Sequence, residues 1–379
     1  MFDVAIVGGG PAGAWCAIRL AARGLRVAIL DGSHPREKPC GGGVTGRALS
    51  LVGESRLALT SAVAIRTATF TLGSRRVDVG LPAAPLRLAV VARREFDARL
   101  LERAAAGATV IGARAVDLRR VGHAWHVLTA EGEISAHWLI GADGANSMVR
   151  KRVSRAFPRQ DISIACGYYV HGIVSERIDI VFENDPAGYL WSFPRRDHLA
   201  VGVCAQADVA STATLMPIVD RWIKRYANGG RRERYSWPIP SLTAQALDRE
   251  VPAGEGWMLI GDAAGVVDPI TREGIFFAMR SAEIAAESLG AQGCAPTTYA
   301  TRVQDEIYGE LRRAARLKAR FYRPAFLSLL MTSLQRSAAI RDVMADLVAG
   351  EQPYRTLRRR LLKTMEFRLM LDLLCARRV

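Results

Sequence analysis

A short apolar run, Asp3-Val4-Ala5-Ile6-Val7, leads without a break into Gly8-Gly9-Gly10-Pro11-Ala12-Gly13, which matches G-x-G-x-x-G. No other feature restricts the fold of this chain as much. The apolar run suits a strand buried on both faces of a parallel sheet. Ala14 to Arg23 has helical spacing, and Gly24 ends it. Leu25–Leu30 reads as a second strand, closed by Asp31. Each part of the turn has a mechanical task. Gly8 permits the tight bend, and Gly10 admits a pyrophosphate close to the backbone. Pro11 and Ala12 open the helix, and Gly13 lets helix and strand pack closely. The helix N-terminus offers free N–H groups and its positive dipole end to phosphates. Asp31, 18 residues after the last glycine, is placed to accept hydrogen bonds from an adenosine ribose. The spacing predicts a dinucleotide-binding α/β domain at the start of the chain.

At 379 residues the chain is long enough for two or three domains. Half of it is hydrophobic and 23% is charged, which excludes a disordered protein. No apolar run reaches the ~18 residues that cross a bilayer, and the start lacks the pattern of a secretory leader. The six cysteines, at 16, 40, 166, 204, 294 and 375, form neither C-x-x-C nor any metal-ligand spacing. They predict a reducing, cytoplasmic setting and no metal site.

The net charge is +15, and it is concentrated. Of 52 Lys and Arg, 16 fall within residues 311–379, against 5 of the 37 Asp and Glu. One reading is a solvated helical face in an arginine-rich chain, since only five of the 52 are lysine. Another is attraction to anionic lipid or to a phosphorylated substrate, which would hold the protein at the inner face of the membrane. No nucleic-acid motif accompanies the charge, so nucleic acid is not an expected partner.

Three later segments separate FAD from other dinucleotides. Arg93-Arg94-Glu95-Phe96-Asp97 resembles an R-x-x-F-D helix start, Trp138 to Gly144 resembles a strand ending in D-G, and Gly256 to Ala264 resembles a G-D motif. In this order they are similar to the flavoprotein superfamily of para-hydroxybenzoate hydroxylase, the flavin halogenases and the geranylgeranyl reductases. The resemblance implies that Arg93 and Asp143 lie by FAD and that Gly261 and Asp262 meet its ribityl chain. It also places the loop ending at Gly274 against the flavin ring. A helix from Ile275 to Leu289 would then aim its positive end at the flavin, where it favours the reduced anion.

Two segments narrow the branch. Lys38-Pro39-Cys40-Gly41-Gly42-Gly43 resembles the K-P-C-G-G-G segment of the geranylgeranyl reductase family, and Tyr189-Leu190-Trp191-Ser192-Phe193-Pro194 resembles its Y-x-W-x-F-P motif. The resemblance places Cys40 at the substrate end of the flavin as the candidate catalytic residue. Gly41 and Gly42 let the backbone pass a planar ring. Period-two spacing puts Tyr189, Trp191 and Phe193 on one strand face, an apolar wall for a prenyl or other apolar substrate. The strand also resembles a halogenase motif, but no lysine occurs between Gly41 and Arg150 to handle hypohalous acid.

The implied fold is a Rossmann-like FAD-binding domain of the para-hydroxybenzoate hydroxylase type, discontinuous over 1–65, 88–152 and 252–294. Residues 66–87 and 153–251 alternate apolar and polar residues and predict an inserted antiparallel substrate sheet. Residues 295–379 predict a helical C-terminal region. The implied activity is reduction of carbon–carbon double bonds by reduced FAD. FAD-dependent monooxygenation of an apolar molecule is the competing activity, and a flavin electron carrier or redox sensor is the non-enzymatic one. With a single nucleotide fingerprint, the reductant is a transiently docking NAD(P)H or a separate electron carrier.

Overall fold

Strand Phe2–Val7 becomes the middle of a parallel sheet, in the order Trp257–Leu259, Gly132–Gly141, Phe2–Val7, Val27–Leu30, Thr109–Ile111. Val4, Ala5 and Ile6 have no exposed surface, as a strand covered on both faces requires. The computed structural model describes residues 1–53, 59–82, 85–290 and 294–364. Cys375 and the end of the basic tail therefore lie outside the described residues. The helix after the glycine turn begins at Pro11, three residues earlier than its periodicity predicts, because proline suits the first helical position. It runs to Ala21 and packs against helices Arg93–Ala105 and Ile275–Leu289. A meander, Ala115–Val121 and Ala124–Thr129, extends the sheet antiparallel to the first half of Gly132–Gly141.

The second sheet has seven strands, ordered Arg231–Pro240, Ile162–His171, His198–Gln206, Ala187–Pro194, Ile178–Asn184, Thr67–Leu72, Arg75–Gly80. The sheet predicted from the inserts is thus present, but it is not purely antiparallel. Ile178–Asn184 pairs parallel to Thr67–Leu72, where the two inserts meet. No hairpin joins those strands, so nothing local forces them antiparallel. One face buries Leu190, Val201 and Val203 against Leu215, Val219 and Ile223 of helix Thr212–Tyr226. The opposite face carries Tyr189, Trp191 and Phe193.

The described C-terminal region is helical, as predicted: Ala295–Val303, Gly309–Phe321, Pro324–Arg336, Ala338–Val348 and Tyr354–Lys363. Helix Pro324–Arg336 sets Leu327, Leu330 and Met331 in one apolar core with Phe70, Val77 and Val79. Two buried tyrosines fasten the region to the first domain, Tyr299 donating to the Leu259 carbonyl and Tyr308 to that of Ala264, both at 2.6 Å. No described helix is long and apolar enough to cross a membrane.

Candidate active site

A single cavity of about 790 Å3 runs from the glycine turn to the C-terminal helices. Every residue singled out from the sequence lines it except Gly13 and Gly261. Those two have packing tasks. A Cβ on Gly13 would overlap the Gly8 carbonyl, and Gly261 sits at φ +60 with Ala12 against it.

At the nucleotide end, Gly8 adopts φ +105 and its missing Cβ would strike the Ala142 carbonyl. A Cβ on Gly10 would meet nothing within 4 Å, so the turn is open where a phosphate must enter. No side chain caps helix Pro11–Ala21, which leaves its first N–H groups free. This cradle fits the pyrophosphate of a dinucleotide. Asp31 has a second task beyond its predicted one. Its Oδ2 accepts from Gly9 N at 2.7 Å, and its Oδ1 accepts from Ser33 N at 2.7 Å and Ser33 Oγ at 2.5 Å. A ribose hydroxyl brought to Asp31 would compete with these bonds. Burial raises the Asp31 pKa, but His34, Ser33 and Gly9 together hold it well below the usual carboxylate range.

His34 carries no sequence signal and is structurally central. Its side chain is 4% exposed, with Nδ1 3.1 Å from Asp31 and Nε2 3.7 Å from Asp97. Asp97 grips Arg93 through two 2.8 Å bonds, and Arg93 Nη1 lies 3.5 Å from Cys40 Sγ. A chain of buried charges thus joins the nucleotide turn to Cys40. Burial disfavours the imidazolium, but the two carboxylates outweigh it and raise the His34 pKa from 6.5 to about 9. A raised folded-state pKa stabilises fully below the unfolded value and is lost as pH rises through the folded one. Thermal midpoints should therefore fall between pH 6.5 and 9.5, and fall less in His34→Gln. Equal slopes in the two proteins would exclude His34 as the cause.

Around the far end, Lys38 Nζ donates to Asp262 Oδ2 at 2.8 Å and ties the Cys40 loop to the G-D segment. Lys38 belongs to the quoted motif, yet its partner is 224 residues away, so spacing could not assign it. The loop glycines are demanded by the protein itself. A Cβ on Gly41 would sit 2.7 Å from the Phe193 ring, and one on Gly42, at φ +78, would fall on the Arg195 guanidinium. Arg195, buried, also donates to the Cys40 carbonyl at 3.3 Å. Helix Ile275–Leu289 starts after Gly274 with no side-chain cap, so its free N–H groups face the cavity.

Asp143 serves the local fold. Its Oδ1 accepts from Ser147 Oγ at 2.5 Å, and its Oδ2 from Met148 N and Val149 N at 2.7 and 3.1 Å. It thereby starts helix Met148–Val153. The next buried residue of that helix, Arg150, donates to both oxygens of Glu250 at 2.9 and 2.7 Å and lies over Phe157 at 3.6 Å. Arg150 also donates to the Ala263 carbonyl, so it fixes the D-G segment to the G-D segment.

The cavity wall beyond Cys40 has a part with no sequence signal. Leu317, Phe321, Tyr322, Met344, Leu347 and Tyr354, all from the C-terminal region, line the cavity together with Tyr189, Trp191 and Phe193. Only their helical periodicity was visible, and it does not say which face meets a ligand.

Residues 1–222 match the FAD binding domain family. The chain is 30% identical to the menaquinone reductase of Mycobacterium tuberculosis over 92% of both chains. It is 30% identical to the chloroplastic geranylgeranyl diphosphate reductase of Nicotiana tabacum over 92% of this chain and 78% of that one. Among solved structures, a geranylgeranyl bacteriochlorophyll reductase-like protein of Thermoplasma acidophilum superposes with a TM-score of 0.78, at 23% identity, over 96% of this chain and 99% of the other. An open glycine cradle, an uncapped helix facing the cavity and these likenesses agree: the chain belongs to the geranylgeranyl reductase family of FAD-dependent oxidoreductases.

Proposed function

We propose that this protein reduces carbon–carbon double bonds of an isoprenoid substrate. The observation that carries this reading is the apolar chamber beyond Cys40, lined by Tyr189, Trp191, Phe193, Phe321 and Tyr322. The relatives named as menaquinone and geranylgeranyl diphosphate reductases support it. Reduced FAD supplies the hydride. The side chains hold the alkene in place and exclude water, which makes the transfer effectively intramolecular. Cys40 stands between the Arg93 guanidinium and the chamber, and its thiol is placed to deliver the proton that completes the saturated bond. Asp31, Asp143 and Asp262, with Arg93, fix the loops that hold the cofactor. NAD(P)H docking transiently, or a separate electron carrier, recharges the flavin. The basic helix Tyr354–Lys363, with four Arg and one Lys in ten residues, is suited to meet anionic headgroups where such substrates reside.

Anaerobically reduced protein should be reoxidised by a prenyl lipid and give a saturated product. Reoxidation by oxygen alone, with a hydroxylated product, would replace this reading with monooxygenation. Cys40→Ala should slow reoxidation by the lipid about 100-fold or more, the usual contribution of a positioned acid, while FAD stays bound. An unchanged rate removes Cys40 from proton transfer.

A further inference from the structure

Among the described residues, Arg272 is the one non-glycine residue with a left-handed backbone, at φ +61. Any Cβ is disfavoured there. Its guanidinium is equally out of place. Nη1 donates to Ser241 Oγ, while Nε is shut off from solvent with no partner. Burial disfavours its charge, Cys204, Tyr322 and Tyr189 outweigh burial and raise its pKa, and among the described residues it forms no ion pair with a carboxylate. A lysine shares the Ser241 partner. Lys318 Nζ donates to the same Ser241 Oγ at 2.8 Å and to Gln206 Oε1 at 2.6 Å, and it forms no ion pair among the described residues. Burial, and then Arg272, push the Lys318 ammonium down to about 6 despite Asp208 and Asp161 nearby. Two basic side chains therefore share one hydroxyl, and Arg272 lines the cavity together with Tyr189 and Tyr322.

A buried cation without a counter-charge is unfavourable, and a strained backbone adds to that. If Arg272 only tethered its loop to Ser241, a neutral donor on a relaxed backbone would do so at less cost. The missing element is an anion. We propose that Arg272 forms an oxyanion subsite in the cavity wall that takes a phosphate or carboxylate group carried by the substrate. The subsite rests on the isoprenoid reading above and makes it narrower. The polar group would lie with Arg272, Tyr189 and Tyr322, leaving Phe70, Ile178 and Phe182 for the hydrocarbon.

The test uses the FAD-loaded, reduced protein and three ligands with one chain: geranylgeranyl diphosphate, geranylgeranoic acid and geranylgeraniol. Binding is followed by titration calorimetry, and reduction by product analysis. The two anions should bind about tenfold or more tightly than the alcohol, as a charge-assisted contact in an enclosed site implies. That preference should fall below about twofold in Arg272→Met and in Arg272→Gly. Arg272→Gly should also raise Tm, because glycine accepts φ +61 without strain. A purely structural arginine would instead lower Tm and leave the preference alone. Equal binding of all three ligands by the wild type, or a preference that survives both variants, overturns the subsite. An Arg272-dependent preference with none of the three reduced would support the subsite and overturn the reductase reading.

Discussion

Arg150→Leu should lower the stability of the folded protein by about 3–5 kcal/mol, the usual result of leaving one member of a buried ion pair alone. Glu250 is 6% exposed and takes both of its close contacts from Arg150 Nη2, at 2.9 and 2.7 Å. Without the guanidinium, that carboxylate keeps only the solvent-exposed Arg155 at 3.9 Å, and it must either stay charged while poorly paired or take up a proton. The loss extends to geometry. Arg150 also donates to the carbonyls of Arg155 and Ala263 and covers Phe157. The D-G and G-D segments would lose their common anchor, and FAD affinity should fall with stability. Urea unfolding followed by tryptophan fluorescence measures the first effect, and flavin content after purification measures the second. The double variant Arg150→Leu, Glu250→Leu should regain part of the stability, because no lone charge remains buried. If it is as unstable as the single variant, the lost hydrogen bonds to backbone carbonyls matter more than the stranded charge.

Gly13→Ala should give a colourless protein. The new methyl would occupy the position of the Gly8 carbonyl carbon and oxygen. Backbone cannot swing aside as the end of a lysine can, so helix Pro11–Ala21 must shift away from strand Phe2–Val7. Overpacking of this kind usually destabilises by about 1–3 kcal/mol. The shift also carries the helix N-terminus out of line with the cradle. We expect FAD affinity to drop about 100-fold or more, equivalent to ~2.7 kcal/mol. Gly10→Ala is the informative partner, since its Cβ meets nothing within 4 Å of protein. It should keep the Tm of the FAD-free protein and still bind FAD poorly, because the methyl stands where the phosphates approach. If both variants retain FAD, the cradle is not its binding site.

Much of this was legible in the sequence because the signals are local. Gly8 to Gly13 declare a turn whose backbone geometry only a few residues permit. Ile275–Leu289 declares a helix, and its observed limits coincide with those read from composition. Tyr189, Trp191 and Phe193 share a face because a strand alternates, and all three reach the cavity. What stayed hidden depends on which distant residues meet. His34 looks like any surface histidine until Asp31 and Asp97 close on it from either side. Lys38 finds Asp262, and Arg150 finds Glu250, across more than half the chain and 100 residues respectively. The triple glycine was ascribed to a flat ligand, whereas Phe193 and Arg195 already demand it. Arg272 falls in the loop that ends at Gly274, and neither its backbone strain nor its missing counter-ion has any trace in composition.

The parallel pairing of Trp257–Leu259 with Gly132–Gly141, itself beside Phe2–Val7, sets a timetable for synthesis. The first strand leaves the ribosome long before the last strand of its sheet exists. At about 5–20 residues per second, the delay is on the order of 10–50 s. The seven-stranded sheet is made in between and can fold first, since its strands from Ile162 to Pro240 are nearly consecutive. The glycine cradle must wait, with Val4 to Val7 uncovered on one side. FAD, whose cradle and helix lie at opposite ends of that interval, can enter only once residues beyond 275 are in place. Expression at low temperature or with limiting flavin should therefore accumulate a chain whose second sheet is finished and whose first is not.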